Sequence, residues 1–360
     1  MTERIERAQA LLRDSDVDAL IVTPGADLRY LTGYHALPLE RLTALVLPAD
    51  APAVLVVPAL ERAAAEAAGV SMTLATWDET DDPFALVSTL IPGDGPVAID
   101  DHMWASRVFA LQEALDRELA LGGDLVSTLR IIKTDDEIAA LRDAGAAIDR
   151  VHSRMGEWLR PGRTEREVGA DIARAILEEG HETVDFVIVG SGPNGASPHH
   201  EVSDRVIEAG DPVVVDIGGT NAAGYCSDST RNYIAGGEPP AEYREMYAVL
   251  LEAQRVQREF AGPGVTAESV DAIGRALIEN AGYGEAFMHR TGHGIGQETH
   301  EEPYIVAGNG RELEAGMAFS IEPGIYLEGR FGARIEDIVV CTDDGIEELN
   351  TTTREYVVLP

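Results

Sequence analysis

Apolar residues in the first part of the chain alternate between two rhythms. Residues 4–12 repeat at helical spacing and present one apolar face. Short continuous apolar runs follow at 19–23 (ALIVT), 43–47 and 53–57, the mark of buried strands. A helix is predicted over 60–68, a strand at 96–99 and a helix over 104–115. Helices interleaved with apolar strands predict an α/β domain with its own core.

A boundary is expected near residues 122–133. Thr134 followed by Glu137 is a capping box, and the helix it opens should run to about Trp158. Thr164 and Glu167 form a second box, opening a helix that stops at Gly180. A faint repeat then emerges. Pro161-Gly162-Arg163-Thr164 precedes a helix carrying Val168, Ile172, Ala175 and Glu178, and Pro263-Gly264-Val265-Thr266 precedes one carrying Val270, Ile273, Ala276 and Glu279. Each copy follows a long helix and leads into a strand-rich stretch, which suggests duplicated halves with approximate two-fold symmetry.

The strand-rich stretches carry acids in unusual places. Residues 213–217 (VVVDI) and 225–233 (YCSDSTRNY) read as strands around a turn-rich GGTNAAG. A hairpin centred near Ala222 sets Asp216 across from Asp228. Residues 318–322 (AFSIE) and 332–340 (GARIEDIVV) flank Gly329, and a hairpin centred there sets Glu322 across from Glu336. Like charges on one strand face repel. Four carboxylates at the ends of apolar runs are costly unless cations neutralise them. That is the physical argument for metal.

Histidines supply nitrogen donors nearby. His289, His293 and His300 lie in one glycine-rich segment, HRTGHGIGQETH, and His199 and His200 in another. Gly292, Gly294 and Gly296 lack the strand–loop–helix setting of a dinucleotide site, and neither a Walker A sequence nor a G-x-S-x-G elbow is present.

Composition narrows the setting. Asp and Glu total 63 against 28 Lys and Arg, giving −35, and Lys133 is the one lysine. The acids are spread along the whole chain. Nucleic-acid binding is disfavoured, since phosphate contacts need a basic surface. Self-repulsion on this scale needs counter-ions, so a salt-rich, halophilic cytoplasm is inferred. Cys226 and Cys341 are expected to be reduced core thiols. The charged beginning of the chain does not resemble a secretory leader, and no run approaches the length of a membrane span, so a cytoplasmic location without membrane partners is expected.

Together VVVDIGG, CSDSTR, HRTGHGIG, SIEPGIY and RIED resemble, in order and spacing, the pita-bread metallopeptidases, the family of methionine aminopeptidases, aminopeptidase P and prolidase. The pattern spans residues 134–360. Tyr30-Leu31-Thr32-Gly33-Tyr34 resembles the YLTG segment of the prolidase and aminopeptidase P branch. The resemblance implies a creatinase/prolidase N-terminal-like α/β domain at 1–128 and an α+β pita-bread catalytic domain at 129–360 with pseudo-two-fold halves. It implies two divalent metals ~3–4 Å apart with a bridging water or hydroxide as nucleophile. Asp216 would be terminal on one, His293 and Glu322 on the other, with Asp228 and Glu336 bridging. Glu322 would also shuttle protons. His199 and His300 would bind substrate and stabilise the intermediate, His289 would relay protons, and Arg334 would order the site or meet a substrate carboxylate. The hard oxygen-rich donor set suits Mn²⁺ and admits Co²⁺ or Zn²⁺. The implied activity is Xaa-Pro dipeptidase or aminopeptidase on small peptides with proline second, in a homodimer. The alternative is a small-molecule C–N hydrolase, creatinase-like or acting on a compatible solute.

Overall fold

Strand Ala19–Val22 is buried at every position, because both faces of its sheet are covered. Leu20 and Val22 enter one apolar cluster with Leu45, Leu47 and Leu55, while Ala19 and Ile21 enter another with Ala44, Val46 and Val56. Alternation along the strands sends successive side chains into opposite cores, so the runs read as continuously apolar. The computed structural model describes residues 2–360 and divides into two compact units, the first ending at Arg130 and the second being Ile131–Pro360.

Among the described residues, the first unit is a six-stranded sheet in the order Thr73–Trp77, Val54–Pro58, Ala44–Pro48, Ala19–Val22, Val97–Ile99, Leu119–Leu121. Helices Thr2–Asp14, Ala26–Thr32 and Gly123–Arg130 pack on one face, and Pro83–Thr89 and Ala105–Leu115 on the other. The stretch expected to contain the boundary is largely helical: Val126 and Leu129, three residues apart, enter the first unit's core. The YLTG segment ends helix Ala26–Thr32, which closes on Gly33 at φ 73°. Tyr30 donates to the Leu129 carbonyl at 3.0 Å.

In the second unit, helices Asp135–Ser153 and Glu165–Glu178 both begin with complete capping boxes, on Thr134 and Thr164. The first ends earlier than expected, with a separate turn of 3₁₀ helix at Met155–Glu157. A four-stranded sheet follows, ordered Val357–Leu359, Cys226–Ala235, Asp211–Asn221, His181–Ser191. Helices Ala241–Phe260 and Ala267–Asn280 then accompany a five-stranded sheet, Glu301–Ile305, Gly292–Gly294, Ala318–Ile321, Asp337–Cys341, Ile346–Glu348.

The two halves repeat bond for bond where the sequence repeat lies. Gly162 donates to Ile207 O, Ile207 to Arg163 O, Glu165 to Arg205 O and Arg166 to Ser203 O. In the second half Gly264 donates to Leu313 O, Leu313 to Val265 O, Ala267 to Arg311 O and Glu268 to Asn309 O. Gly162 and Gly264 both take a left-handed φ, 89° and 79°, which explains the shared Pro-Gly.

One buried histidine ties the first long helix to the sheet. His152 Nε2 donates to Ser229 O at 3.1 Å, and Nδ1 lies 2.9 Å from the Tyr233 hydroxyl. Burial, then the nearby Arg231 charge, pushes its pKa down to about 3. The folded value lies below the unfolded one, so the unfolded chain takes up a proton that the native state refuses. Stability therefore falls as pH drops below about 6.5, by about 2 kcal/mol at pH 5. Urea unfolding from pH 7.5 to 5 should show wild type losing about that much more stability than His152→Gln. Equal losses would contradict the linkage.

Candidate metal centre

Asp216 and Asp228 sit on the paired strands Asp211–Asn221 and Cys226–Ala235, but not directly opposite. The register sets Asp216 against Thr230 and Gly218 against Asp228. The expected direct pairing is thus corrected by two residues. The turn is centred one residue later, with Gly224 left-handed at its tip. A two-residue shift preserves the face, so both carboxylates still point the same way.

Glu322 and Glu336 occupy a break between two stretches of one register. Ile321 pairs with Asp337 on one side, and Gly324 with Arg334 on the other. Both pairings centre on Gly329, so the two glutamates face each other where the backbone leaves one sheet for the hairpin Gly324–Leu327/Phe331–Arg334. The long strands expected here are each interrupted at the glutamate.

His293 reaches the same point from strand Gly292–Gly294. A Cβ on Gly292 would collide with Ser320 O and one on Gly294 with Glu302 O, so only glycine lets this strand lie so close to its neighbours. His293 Nε2 lies 3.2 Å from Glu322 Oε1 and 3.6 Å from Asp228 Oδ2.

Three overlapping donor sets result: Asp216, Asp228 and Glu336; His293, Glu322 and Glu336; and Asp228, His293 and His300. Donor atoms within each lie inside 4.8 Å of one another. Glu336 belongs to the first two, and the third brings His300 up to the cluster. All five residues of the first two sets except Glu322, which is half-buried, are buried. Burial, then repulsion from the neighbouring carboxylates, raises the pKa of Asp228 and Glu336 well above the usual range. Burial pushes Glu322 upward too, but the hydrogen bond and charge of His293, with the charges of His289 and Arg334, together outweigh this and hold it at about 2. Asp216 Oδ1 is buried without a hydrogen-bond partner. Four carboxylates, one imidazole and an orphaned oxygen fit divalent cations.

Arg334 threads this cluster. Its guanidinium donates to Asp216, to Thr230 Oγ1 at 3.0 Å and to the Tyr326 hydroxyl at 2.7 Å. Thr230 passes the link on, donating to Glu336 Oε2 at 2.7 Å. With its donors engaged and its side chain 3% exposed, Arg334 is placed to order the carboxylates rather than to meet a substrate. His289 Nε2 lies 2.9 Å from the Tyr326 hydroxyl, which connects it to Arg334.

His300 stands edge-on to His293, ring centroids 4.1 Å apart, and is exposed on its other side. Partial desolvation, then the charges of His293 and Arg290, brings its pKa to about 4, so it is neutral at physiological pH. His199 is exposed and near enough for its charge to act on His300.

Thr230, Tyr326 and two anchoring acids escaped the sequence reading. Fully buried Glu165 accepts from Ser191, Asn194, His200 and Ser203, fastening the loop that carries His199. Asp271 accepts from Thr291 N at 3.1 Å and pairs with Arg275, whose guanidinium holds the His289 carbonyl. Thr230 was detectable, lying two residues after Asp228 and hence on its face. The anchors carry no local signal.

Residues 139–343 match the model of metallopeptidase family M24, and residues 4–132 match the creatinase/prolidase N-terminal domain. The chain is 53% identical over 362 residues to a probable dipeptidase PepE of Mycobacterium tuberculosis, covering 99% of this chain and 96% of the relative. It is 36% identical over 372 residues to the Xaa-Pro dipeptidase of Lactobacillus helveticus, covering 99% of each. The crystal structure of recombinant prolidase from Thermococcus sibiricus superposes with a TM-score of 0.94 at 38% identity, covering 99% of each chain.

The raised carboxylates set a pH signature. A folded pKa above the unfolded one stabilises at low pH, and that stability is lost as pH rises through the folded value. Without cations the protein should therefore weaken with rising pH, and cation binding should release protons. The gain in Tm on adding Mn²⁺ should grow between pH 5.5 and 8, and calorimetry in buffers of different ionisation enthalpy should register proton release. A pH-independent gain with no proton release would contradict this.

Proposed function

Because this chain belongs to metallopeptidase family M24, we propose that it is a dinuclear metal-dependent Xaa-Pro dipeptidase, releasing proline from small peptides. The observation that carries the reading is the pair of donor triads sharing Glu336, with His300 and His289 grouped beside them. Relatives named dipeptidase and Xaa-Pro dipeptidase, matched along almost their whole length, support the substrate class.

In this reading Asp216, Asp228, His293, Glu322 and Glu336 hold two divalent cations, best Mn²⁺ given the oxygen-rich donors. Such cations would supply Lewis acidity, polarising the scissile carbonyl and acidifying water near neutral pH. The chain's own groups do the rest. Glu322, held ionised and accepting from Ser320 Oγ at 3.0 Å, takes up a proton and returns it to the leaving amine. Neutral His300, together with His199, donates hydrogen bonds to the developing oxyanion and the scissile amide. His289, through Tyr326, connects the cluster to the proton path. Arg334 keeps Asp216 and Glu336 apart in fixed orientations, directly and through Thr230. The intact donor set favours this over the small-molecule C–N hydrolase.

A homodimer in a salt-rich cytoplasm completes the proposal. No helix among the described residues is long and apolar enough to cross a membrane.

Chelated enzyme assayed on Ala-Pro should be inactive and regain turnover with Mn²⁺, and Ala-Ala should be cleaved far more slowly. His300→Ala should lower kcat about 10²–10³-fold. Equal cleavage of Ala-Ala would remove the proline preference, and no cleavage of either would remove the peptidase. Separately, the net charge of −35 predicts that Tm rises between about 0.1 M and 2 M salt. A flat response would end the halophilic reading.

A further inference from the structure

Of 28 basic residues in this chain, Lys133 is the one lysine, and it is not on the surface. Its side chain is 2% exposed, and Nζ lies 2.6 Å from Oε1 of Glu301, itself 8% exposed. Two charges removed from water are weak evidence for stability. A chain that uses arginine for every other Lys/Arg position places a compact, point-like ammonium here.

Both partners ride on fastened backbone. Ile132 bridges Met317, and Lys133 N donates to Gly316 O at 2.8 Å, just before strand Ala318–Ile321. Glu301 opens strand Glu301–Ile305 opposite Gly294, the residue after His293. Gly296 leaves room for the Glu301 carboxylate, since a Cβ there would meet Oε1 at 2.6 Å. Residues 295–300 are therefore a loop between the paired residues Gly294 and Glu301, with His293 just before that pair and His300 as the loop's last residue. Clamping Glu301 fixes the backbone to which His300 is directly joined, and His300 stands edge-on to His293 from there.

We propose that the buried Lys133–Glu301 ion pair is a positioning device for His300, setting its distance from the carboxylate cluster. This rests on the reading of His300 as a substrate-binding histidine. Lys133 and Glu301 act through His300 and touch no reacting atom.

The test uses the full-length Mn²⁺-loaded enzyme and four variants: Lys133→Met, Glu301→Ala, Glu301→Gln and the double Lys133→Met/Glu301→Gln. The double variant leaves no unpaired buried charge and keeps the experiment open should a single variant not fold. Lys133→Met and Glu301→Ala should lower kcat on Ala-Pro about tenfold, with KM and Mn²⁺ content within about twofold of wild type. Glu301→Gln, which still accepts from the ammonium, should retain most of the rate. Amide exchange should rise across residues 294–301 and stay unchanged in strands Asp211–Asn221 and Cys226–Ala235. Unchanged exchange in the loop would overturn the proposal. So would faster exchange with wild-type kcat, or a loss of KM and metal content in step with kcat. If wild type cleaves no dipeptide, the peptidase reading falls, and the exchange pattern alone decides whether the pair orders the loop.

Discussion

Four carboxylates converge on one largely buried point with a single guanidinium among them, and the architecture of the second unit is organised around that repulsion. Asp228 and Glu336 are pushed toward protonation by burial and then by neighbouring carboxylates, Glu336 acting on Asp228 and Glu322 on Glu336, while Asp216 keeps one oxygen with no hydrogen-bond partner. An arrangement like this is unfavourable in isolation, because like charges in a low dielectric repel strongly. It persists because strand registers, set by packing elsewhere, leave the acids nowhere else to go. Arg334 and Thr230 then hold the cluster in a shape suited to cations.

Duplication explains how those registers arise. Each half supplies a long helix, a second helix tied to a following loop by the same four backbone bonds, and a strand pair carrying two acids. The halves then diverge where chemistry requires it. Glu165 in the first half fastens the His199 loop, whereas its counterpart Ala267 carries no such group, and Asp271, one turn further along that helix, fastens the His289 segment instead. Equivalent backbone thus supports two different histidine loops over one shared carboxylate face.

Much of this was legible in the sequence because it depends on parity. The strand period of two kept Asp216 and Asp228 on one face even though the turn was misplaced by one residue. The centring on Gly329 held for the second pair, since Ile321–Asp337 and Gly324–Arg334 share it. Helix starts at Thr134 and Thr164 were legible because capping is local chemistry. What stayed hidden is non-local or short. Helix Gly123–Arg130, within the stretch expected to hold the boundary, went unread because eight residues give too few periods, while the division between the units falls just after it. The breaks at Glu322 and Glu336 arise from a change of sheet, which no local pattern announces. Tyr326, Glu165 and Lys133 matter through partners that are distant in sequence or lie on another element.

The central claim is that the shared Glu336 makes one centre of two sites. Mn²⁺ bound per chain, measured by equilibrium dialysis with elemental analysis on wild type and Glu336→Gln, tests it most directly. Two ions should bind per wild-type chain, and the variant should lose affinity for both together, because both donor sets draw on that one carboxylate. One ion per wild-type chain, or a variant that loses one ion and holds the other unchanged, would contradict it.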